Sequence, residues 1–296
     1  MHRREFLGSG SALVALSLMT PLPARAATSG SEGAKPRQAA GAVLKIKKIS
    51  IGEGQPKVIV PTTADSVQET LQFVDNIADR TDFHLLELRL DALENGTDAS
   101  AMAALTKQIS SRLGDKPLLV TFRTEREGGK KTINDREYVA LYRSLLNEGQ
   151  FDLLDIEMYR EQSLTAPLIE LAHEKGRHVI LSNHELHATP SAQTIVSRLR
   201  EQQTRGADIL KLAAMPQSPA DVLTLLNATL EMHQNYAQRP LLTMAMGSTG
   251  VLSRISGELT GSALTFGMIG SASASGQVAA EDLNSVLSVV HKGMAS

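Results

Sequence analysis

The chain has 296 residues, a formal net charge of −2 and 42% hydrophobic residues, so it can bury a sizeable core and is no disordered segment. The near-neutral balance offers no basic surface to nucleic acid or anionic membrane. It contains no cysteine, which excludes disulfides and thiolate metal sites.

At the N-terminus, Arg3-Arg4-Glu5-Phe6-Leu7 precedes an apolar stretch from Leu13 to Met19. Ala24-Arg25-Ala26 then has the small-x-small form that signal peptidases read. The apolar stretch is far shorter than the roughly 20 residues a bilayer span requires. Residues 1–26 are therefore expected to be a twin-arginine-type signal peptide, followed by a small, polar linker over 27–42. The expected location is the periplasm, with residues 43–296 forming one catalytic domain.

From Val43 onward, short apolar runs alternate with helical patterns at intervals of roughly 30 residues, the rhythm of βα units. The predicted strands are Val58–Thr62, Leu85–Leu90, Leu118–Thr124, Leu153–Tyr159, His178–Asn183, Ile209–Met215, Leu241–Met246 and Ala263–Phe266. Helix signals fall between them. Ser66-Val67-Gln68-Glu69 reads as a capping box opening an apolar stripe at Val67, Leu71, Val74 and Ile77. Met102, Leu105, Ile109 and Leu113 form a second stripe. Thr189-Pro190 and Ser218-Pro219 each place an N-cap residue before proline, and Gly176 and Gly206 stand where helices should end. An additional pair, Leu44–Ile51 and Val58–Thr62 around Gly52-Glu53-Gly54, is expected to form a hairpin whose first arm closes the barrel bottom. Eight such units fit one (β/α)8 barrel of the TIM type better than two doubly wound domains. No Gly-x-Gly-x-x-Gly and no phosphate-loop motif follows any strand.

The period-two pattern puts charge where a stability-only barrel would carry Val, Ile or Leu. In Leu85-Leu86-Glu87-Leu88-Arg89-Leu90-Asp91, the leucines at 86, 88 and 90 face the helices, while Glu87, Arg89 and Asp91 face the interior. Asp155 and Glu157 follow the same rule, as do Thr121 with Arg123, Ser182 with His184, and Met244 with Met246. Buried charges cost several kcal/mol each unless paired. Each carboxylate or arginine can therefore be a structural ion-pair partner or a site residue, with Asp91 and Asp155 expected to stand behind the site. A solvent-facing antiparallel sheet would give a similar alternation.

Lys211 sits between Leu210 and Leu212 on the sixth strand, with nowhere to snorkel. Burial there, and neighbouring cations such as Arg123, should favour the neutral amine that attacks carbonyl carbon. His184, in Ser182-Asn183-His184-Glu185-Leu186-His187, is a candidate base for such chemistry. As alternatives it is a satisfied core histidine, or a metal ligand with His187, although no third ligand is evident and the spacing is not His-Glu-x-x-His. His187 reads as a surface or loop residue.

Several motifs occur together and in order: Glu87-Leu88-Arg89-Leu90-Asp91, Thr121-Phe122-Arg123-Thr124 with Glu127-Gly128-Gly129, and Ser182-Asn183-His184. They continue with Asp208-Ile209-Leu210-Lys211-Leu212-Ala213, Met215-Pro216, Ser253-Arg254-Ile255-Ser256-Gly257-Glu258, Gly261-Ser262 and Thr265-Phe266-Gly267. From Leu44 to His291 the chain resembles type I 3-dehydroquinate dehydratases. The resemblance implies dehydration of 3-dehydroquinate through a Schiff base on Lys211. His184 would then act as general base and acid with Glu127 assisting, and Arg254 would hold the substrate carboxylate. Glu87, Arg89, Arg123, Ser273 and Gln277 would bind hydroxyls or complete the pocket, and residues 273–277 would form a lid. Family members commonly carry proline where this chain has Ser275. No cofactor or metal is implied. The expected partner is a small-molecule substrate, with no membrane span and with a homodimer as the assembly to test. Export points to breakdown of quinate-type compounds in the periplasm. The competing readings are another Schiff-base barrel of the class I aldolase kind, and an exported binding protein for a hydroxylated acid. Only an imine-former would give a covalent adduct with borohydride and ligand.

Overall fold

The computed structural model describes residues 43–295, so the signal-peptide and linker expectations lie outside the described residues. The eight expected strands all form, with ends differing by a few residues. A short antiparallel hairpin, β1 (Leu44–Ile46) and β2 (Ile49–Ile51), comes first. Then follow β3 (Lys57–Pro61), α1 (Val67–Ile77), β4 (Leu85–Arg89), α2 (Ala99–Leu113), β5 (Leu118–Thr121), α3 (Asp135–Glu148), β6 (Leu153–Glu157) and α4 (Gln162–Glu174). The second half runs β7 (His178–Glu185), α5 (Ala192–Thr204), β8 (Ile209–Ala214), α6 (Pro219–Asn235), β9 (Leu241–Ala245), α7 (Val251–Ile255) and α8 (Gly257–Thr260). It ends with β10 (Leu264–Met268), β11 (Val278–Ala279) and α9 (Ala280–Ala295).

Strands β3 to β9 pair in parallel and in chain order, and β10 pairs in parallel with β3. The Ala263 N–H to Leu241 carbonyl bond, 2.8 Å, joins β9 to the approach of β10, and the sheet closes into a (β/α)8 barrel. Parallel pairing disposes of the antiparallel alternative.

The hairpin differs from expectation. Its turn is at Lys47-Lys48, not at Gly52-Glu53-Gly54, and β3 is not one of its arms. Lys47 takes a left-handed φ of 51° although it is not glycine. Its ammonium reaches the carbonyls of Gly114 and Lys116 and the Asp152 carboxylate, tertiary contacts that hold the turn. The hairpin does close the bottom: Ile46 and Ile51 pack under Ile59, Leu85, Leu119, Leu153, Ile180, Ile209 and Leu242.

A second correction concerns α5. Its N-cap is Ser191, whose hydroxyl accepts from the Thr194 N–H, while Thr189 bonds the Met215 carbonyl instead. By contrast, Ser66 caps α1, Ser218 precedes Pro219 at the start of α6, and Gly176 and Gly206 adopt positive φ just beyond α4 and α5. The stripe Met102, Leu105, Ile109 and Leu113 is buried.

Each inward face changes character with height. The lowest inward residues (Leu85, Leu119, Leu153, Ile180, Ile209) form an apolar plug. On the first four of these strands the next two inward positions are polar (Glu87 and Arg89, Thr121 and Arg123, Asp155 and Glu157, Ser182 and His184), and on β8 Lys211 is followed by Ala213. The apolar half thus anchors the barrel and the carboxyl end of the strands carries chemistry.

Candidate active site

Lys211 is 2% exposed. Its Nζ donates to Asp155 Oδ2 at 2.8 Å and lies 5.0 Å from the centroid of the Phe266 ring. Arg123, the expected neighbouring cation, is separated from the amine by Asp155. Asp155 Oδ1 accepts from Arg123 Nη2 at 2.7 Å and from the Ser182 hydroxyl at 2.6 Å. Burial would raise this carboxyl, but Arg123 and Lys211 outweigh it and hold it well below the usual carboxylate range. Asp155, fully buried and not among the residues that line the cavity, thus stands behind the site as expected and holds the lysine from there.

The outer helices fix both strands at this height. The Tyr142 hydroxyl on α3 accepts the Phe122 N–H at 2.7 Å and donates to the Asp155 carbonyl at 2.8 Å, bridging the ends of β5 and β6. Gln202 on α5, fully buried, brackets the Lys211 backbone: its amide oxygen accepts the N–H and its amide nitrogen donates to the carbonyl, both at 2.8 Å. Neither residue carried a sequence signal beyond its place on a helix. Phe266 was legible only as an apolar strand residue.

His184, at the end of β7, places Nδ1 2.9 Å from Glu127 Oε2. Glu127 sits in a one-turn helix after β5 that closes through Gly128, whose φ of 87° favours glycine. Burial, resisted by Arg123 and reinforced by Glu157 and Asp155, pushes the Glu127 carboxyl up to about 8. Burial and the charges of Arg123 and Lys211 push His184 well below its ordinary range. A neutral imidazole whose Nδ1–H is donated to Glu127 leaves Nε2 as a free base.

Arg123 also bonds Glu157 at 3.1 Å and Ser182 at 3.0 Å, and Glu157 accepts from the N–H and hydroxyl of Thr124. Arg89 grips Asp91 through two 2.8 Å bonds. The Thr121 hydroxyl donates to Glu87 at 2.8 Å. Arg254 contrasts with these cations. It is 2% exposed, its Nε has no partner, and Nη1 and Nη2 make only 3.4 Å contacts to the carbonyls of Phe266 and Ser275. Burial lowers it to about 10, so it remains cationic at neutral pH. A buried planar cation without a carboxylate partner is suited to receive one from a ligand.

All nine sequence-selected residues line one cavity: Glu87, Arg89, Arg123, Glu127, His184, Lys211, Arg254, Ser273 and Gln277. Met244, Met246 and Phe266 supply its apolar wall. His187 is exposed, and its carbonyl accepts from Gln217. Among the described residues no group of three or more His, Cys, Asp or Glu is arranged to hold a metal ion, and no helix is long and apolar enough to cross a membrane. The site combines a shielded amine, a histidine–carboxylate pair and an unneutralised arginine.

A family model described as Type I 3-dehydroquinase matches residues 58–294. The 3-dehydroquinate dehydratase of Enterococcus faecalis is 46% identical over 243 residues, covering 82% of this chain and 95% of that protein. The Salmonella agona 3-dehydroquinate dehydratase is 43% identical over 253 residues, covering 84% and 98%. The structure of the type I enzyme from Clostridium difficile, with covalent modified comenic acid, superposes with a TM-score of 0.83 at 40% identity, covering 86% of this chain and 99% of that one. The chain belongs to the type I 3-dehydroquinase family, and its activity is that of a 3-dehydroquinate dehydratase.

Proposed function

We propose that this chain converts 3-dehydroquinate to 3-dehydroshikimate through an imine on Lys211, and that it does so as an exported enzyme in the breakdown of quinate-type compounds. The observation that carries the mechanism is the convergence of the Lys211 amine, the His184–Glu127 pair and Arg254 on one cavity. Lys211 Nζ attacks the ketone carbon, and loss of water gives a protonated imine. That cation draws electrons from the adjacent C–H bond, whose proton passes to His184 Nε2. The C–O bond on the neighbouring carbon then breaks as His184 returns the proton to the leaving hydroxyl, and water is released. Hydrolysis of the imine restores Lys211. Asp155 holds the amine in place between steps, and Glu127 stabilises the imidazolium. Arg254 binds the carboxylate, while Glu87, Arg89, Arg123, Ser273 and Gln277 bind hydroxyls and close the pocket. Growth of the conjugated-enone absorbance on adding 3-dehydroquinate tests the reaction; turnover of aldol donors instead would replace it with the aldolase reading.

Arg254→Lys should raise the KM for 3-dehydroquinate, since a point charge cannot reproduce a two-pronged carboxylate contact. Inhibition by an analogue lacking the carboxylate should be unchanged. Equal weakening of both ligands would make Arg254 a structural residue.

The His184–Glu127 pair also sets a pH dependence. A pair that holds an extra proton is not a base, so kcat/KM should rise with pH along a limb lying above the ordinary carboxylate range. Glu127→Gln removes the group that keeps that proton, and His184 alone stays neutral to lower pH. The limb should therefore move to lower pH while kcat falls. A limb that stays in place would assign it to another group.

Support for export is the sequence Arg3-Arg4-Glu5-Phe6-Leu7 with Ala24-Arg25-Ala26. A biosynthetic step outside the inner membrane would lose its intermediates by diffusion, whereas breakdown of compounds arriving from outside would not. The mature chain should begin near Ala27 in the periplasmic fraction, and Arg3→Lys with Arg4→Lys should hold it inside. Full-length protein starting at Met1 in the cytoplasm would refute export and leave the barrel chemistry standing.

A further inference from the structure

The segment between β10 and β11 passes over the mouth of the barrel, and both its ends are fixed, because Gly267 pairs with Val278 and Met268 with Ala279. Ser273, Ala274 and Gln277 from this segment line the cavity that holds Lys211. Within it, the Gln277 carboxamide oxygen accepts the Ser273 N–H at 2.8 Å and its nitrogen donates to the Ser273 hydroxyl at 3.0 Å, so the two form one unit. What joins that unit to the barrel is small. The Gly247 N–H donates to the Ser275 carbonyl at 3.2 Å, and Arg254 Nη2 approaches the same oxygen at 3.4 Å. Beside them Gly276 lies directly on the Gly247 backbone: a Cβ there would come within 2.1 Å of the Gly247 carbonyl oxygen, and its φ is +78°.

We infer that Gly247, Ser275 and Gly276 form a backbone latch that seats the strap, and that this latch couples strap closure to capture of the substrate carboxylate through Arg254. The inference rests on the reading of Arg254 given above. One guanidinium serves both tasks. Its Nη2 meets the strap at Ser275, its Nε is unpartnered, and its only other hydrogen bond among the described residues is a long one to Phe266. A carboxylate that fixes the guanidinium plane therefore also fixes the donor facing Ser275. Conversely, a strap held off Gly247 leaves Arg254 without that restraint and moves the Ser273–Gln277 unit away from the ligand. The latch consists of two hydrogen bonds to one carbonyl and one close backbone approach. Its residues act on binding and touch none of the reacting atoms, so they are positioning residues.

Gly276→Ala tests this, because its added carbon strikes backbone that cannot rotate away. The expected result is a KM for 3-dehydroquinate at least tenfold higher, kcat within about threefold of the unsubstituted enzyme, and an undiminished Lys211 adduct with borohydride at saturating ligand. Ser275→Pro tests it from the other side. The Ser275 N–H has no hydrogen-bond partner among the described residues, and proline narrows the strap's unlatched ensemble, so KM should fall two- to threefold. An unchanged KM in Gly276→Ala, a kcat loss without a KM change, or a KM in Ser275→Pro that is unchanged or higher would overturn the latch. Failure of the unsubstituted protein to turn over 3-dehydroquinate would instead strike at the dehydratase reading on which it rests.

Discussion

Lys211→Met is expected to abolish turnover, with a loss on the order of 10⁵-fold or more, as when a covalent nucleophile is removed from an enzyme. Methionine nearly conserves volume and removes the reacting amine, and with it that nitrogen's contact with the Phe266 ring. Breaking a buried ion pair is ordinarily severe, costing about 3–5 kcal/mol, because one charge is left alone. Here it is not left alone: Asp155 keeps Arg123 at 2.7 Å and the Ser182 hydroxyl at 2.6 Å. The variant should therefore fold, with an unchanged circular-dichroism spectrum and a Tm within several degrees of the parent. Competition by a substrate analogue should persist, since Arg254 is untouched. Retained activity in this variant would end the imine mechanism.

His184→Ala separates the two halves of the reaction. One general acid–base group contributes roughly 10²–10⁴-fold, and His184 is asked to act twice, so kcat should fall by about 10⁴-fold or more. Formation of the imine depends on Lys211 and Asp155, which His184 does not touch, so 3-dehydroquinate should still become attached. Rapid quench with borohydride should trap the substrate-mass adduct in this variant rather than the product-mass adduct. The loss should not be mistaken for unfolding, because Glu127 retains Arg123 at 3.6 Å when the histidine is gone. Turnover close to the parent's would transfer the role of base, with Glu127 the first group to examine.

The barrel was legible because its strands break a rule in a regular way. Charges at every second position of Glu87-Leu88-Arg89 and Asp155-Ile156-Glu157, on strands that are each followed by a helix, favour a sheet covered on both faces, one of which works. All nine site residues chosen on the sequence reach the same cavity. What escaped was set by contacts between distant parts of the chain. The turn at Lys47 has no glycine to announce it, since its side-chain ammonium is held by carbonyls elsewhere at the barrel bottom, at Gly114 and Lys116. Thr189-Pro190 looks like a helix start, but the Met215 carbonyl draws the threonine hydroxyl away and Ser191 takes the cap. That Asp155 stands behind the site was legible, but its partner was not, because parity gives a direction and not a neighbour: only the closed barrel brings β6 and β8 near enough for a 2.8 Å bond to Lys211. Gln202 was invisible for the same reason, since a helix residue that brackets a strand backbone leaves no periodic trace.

The imine mechanism requires that Lys211 be covalently bonded to the substrate during turnover. Its most direct measurement is mass spectrometry of the enzyme treated with 3-dehydroquinate and borohydride, followed by peptide mapping. One ligand mass per chain is expected, on the peptide that holds Lys211, and none in Lys211→Met. An adduct on another lysine, or full turnover with no adduct at all, would contradict it.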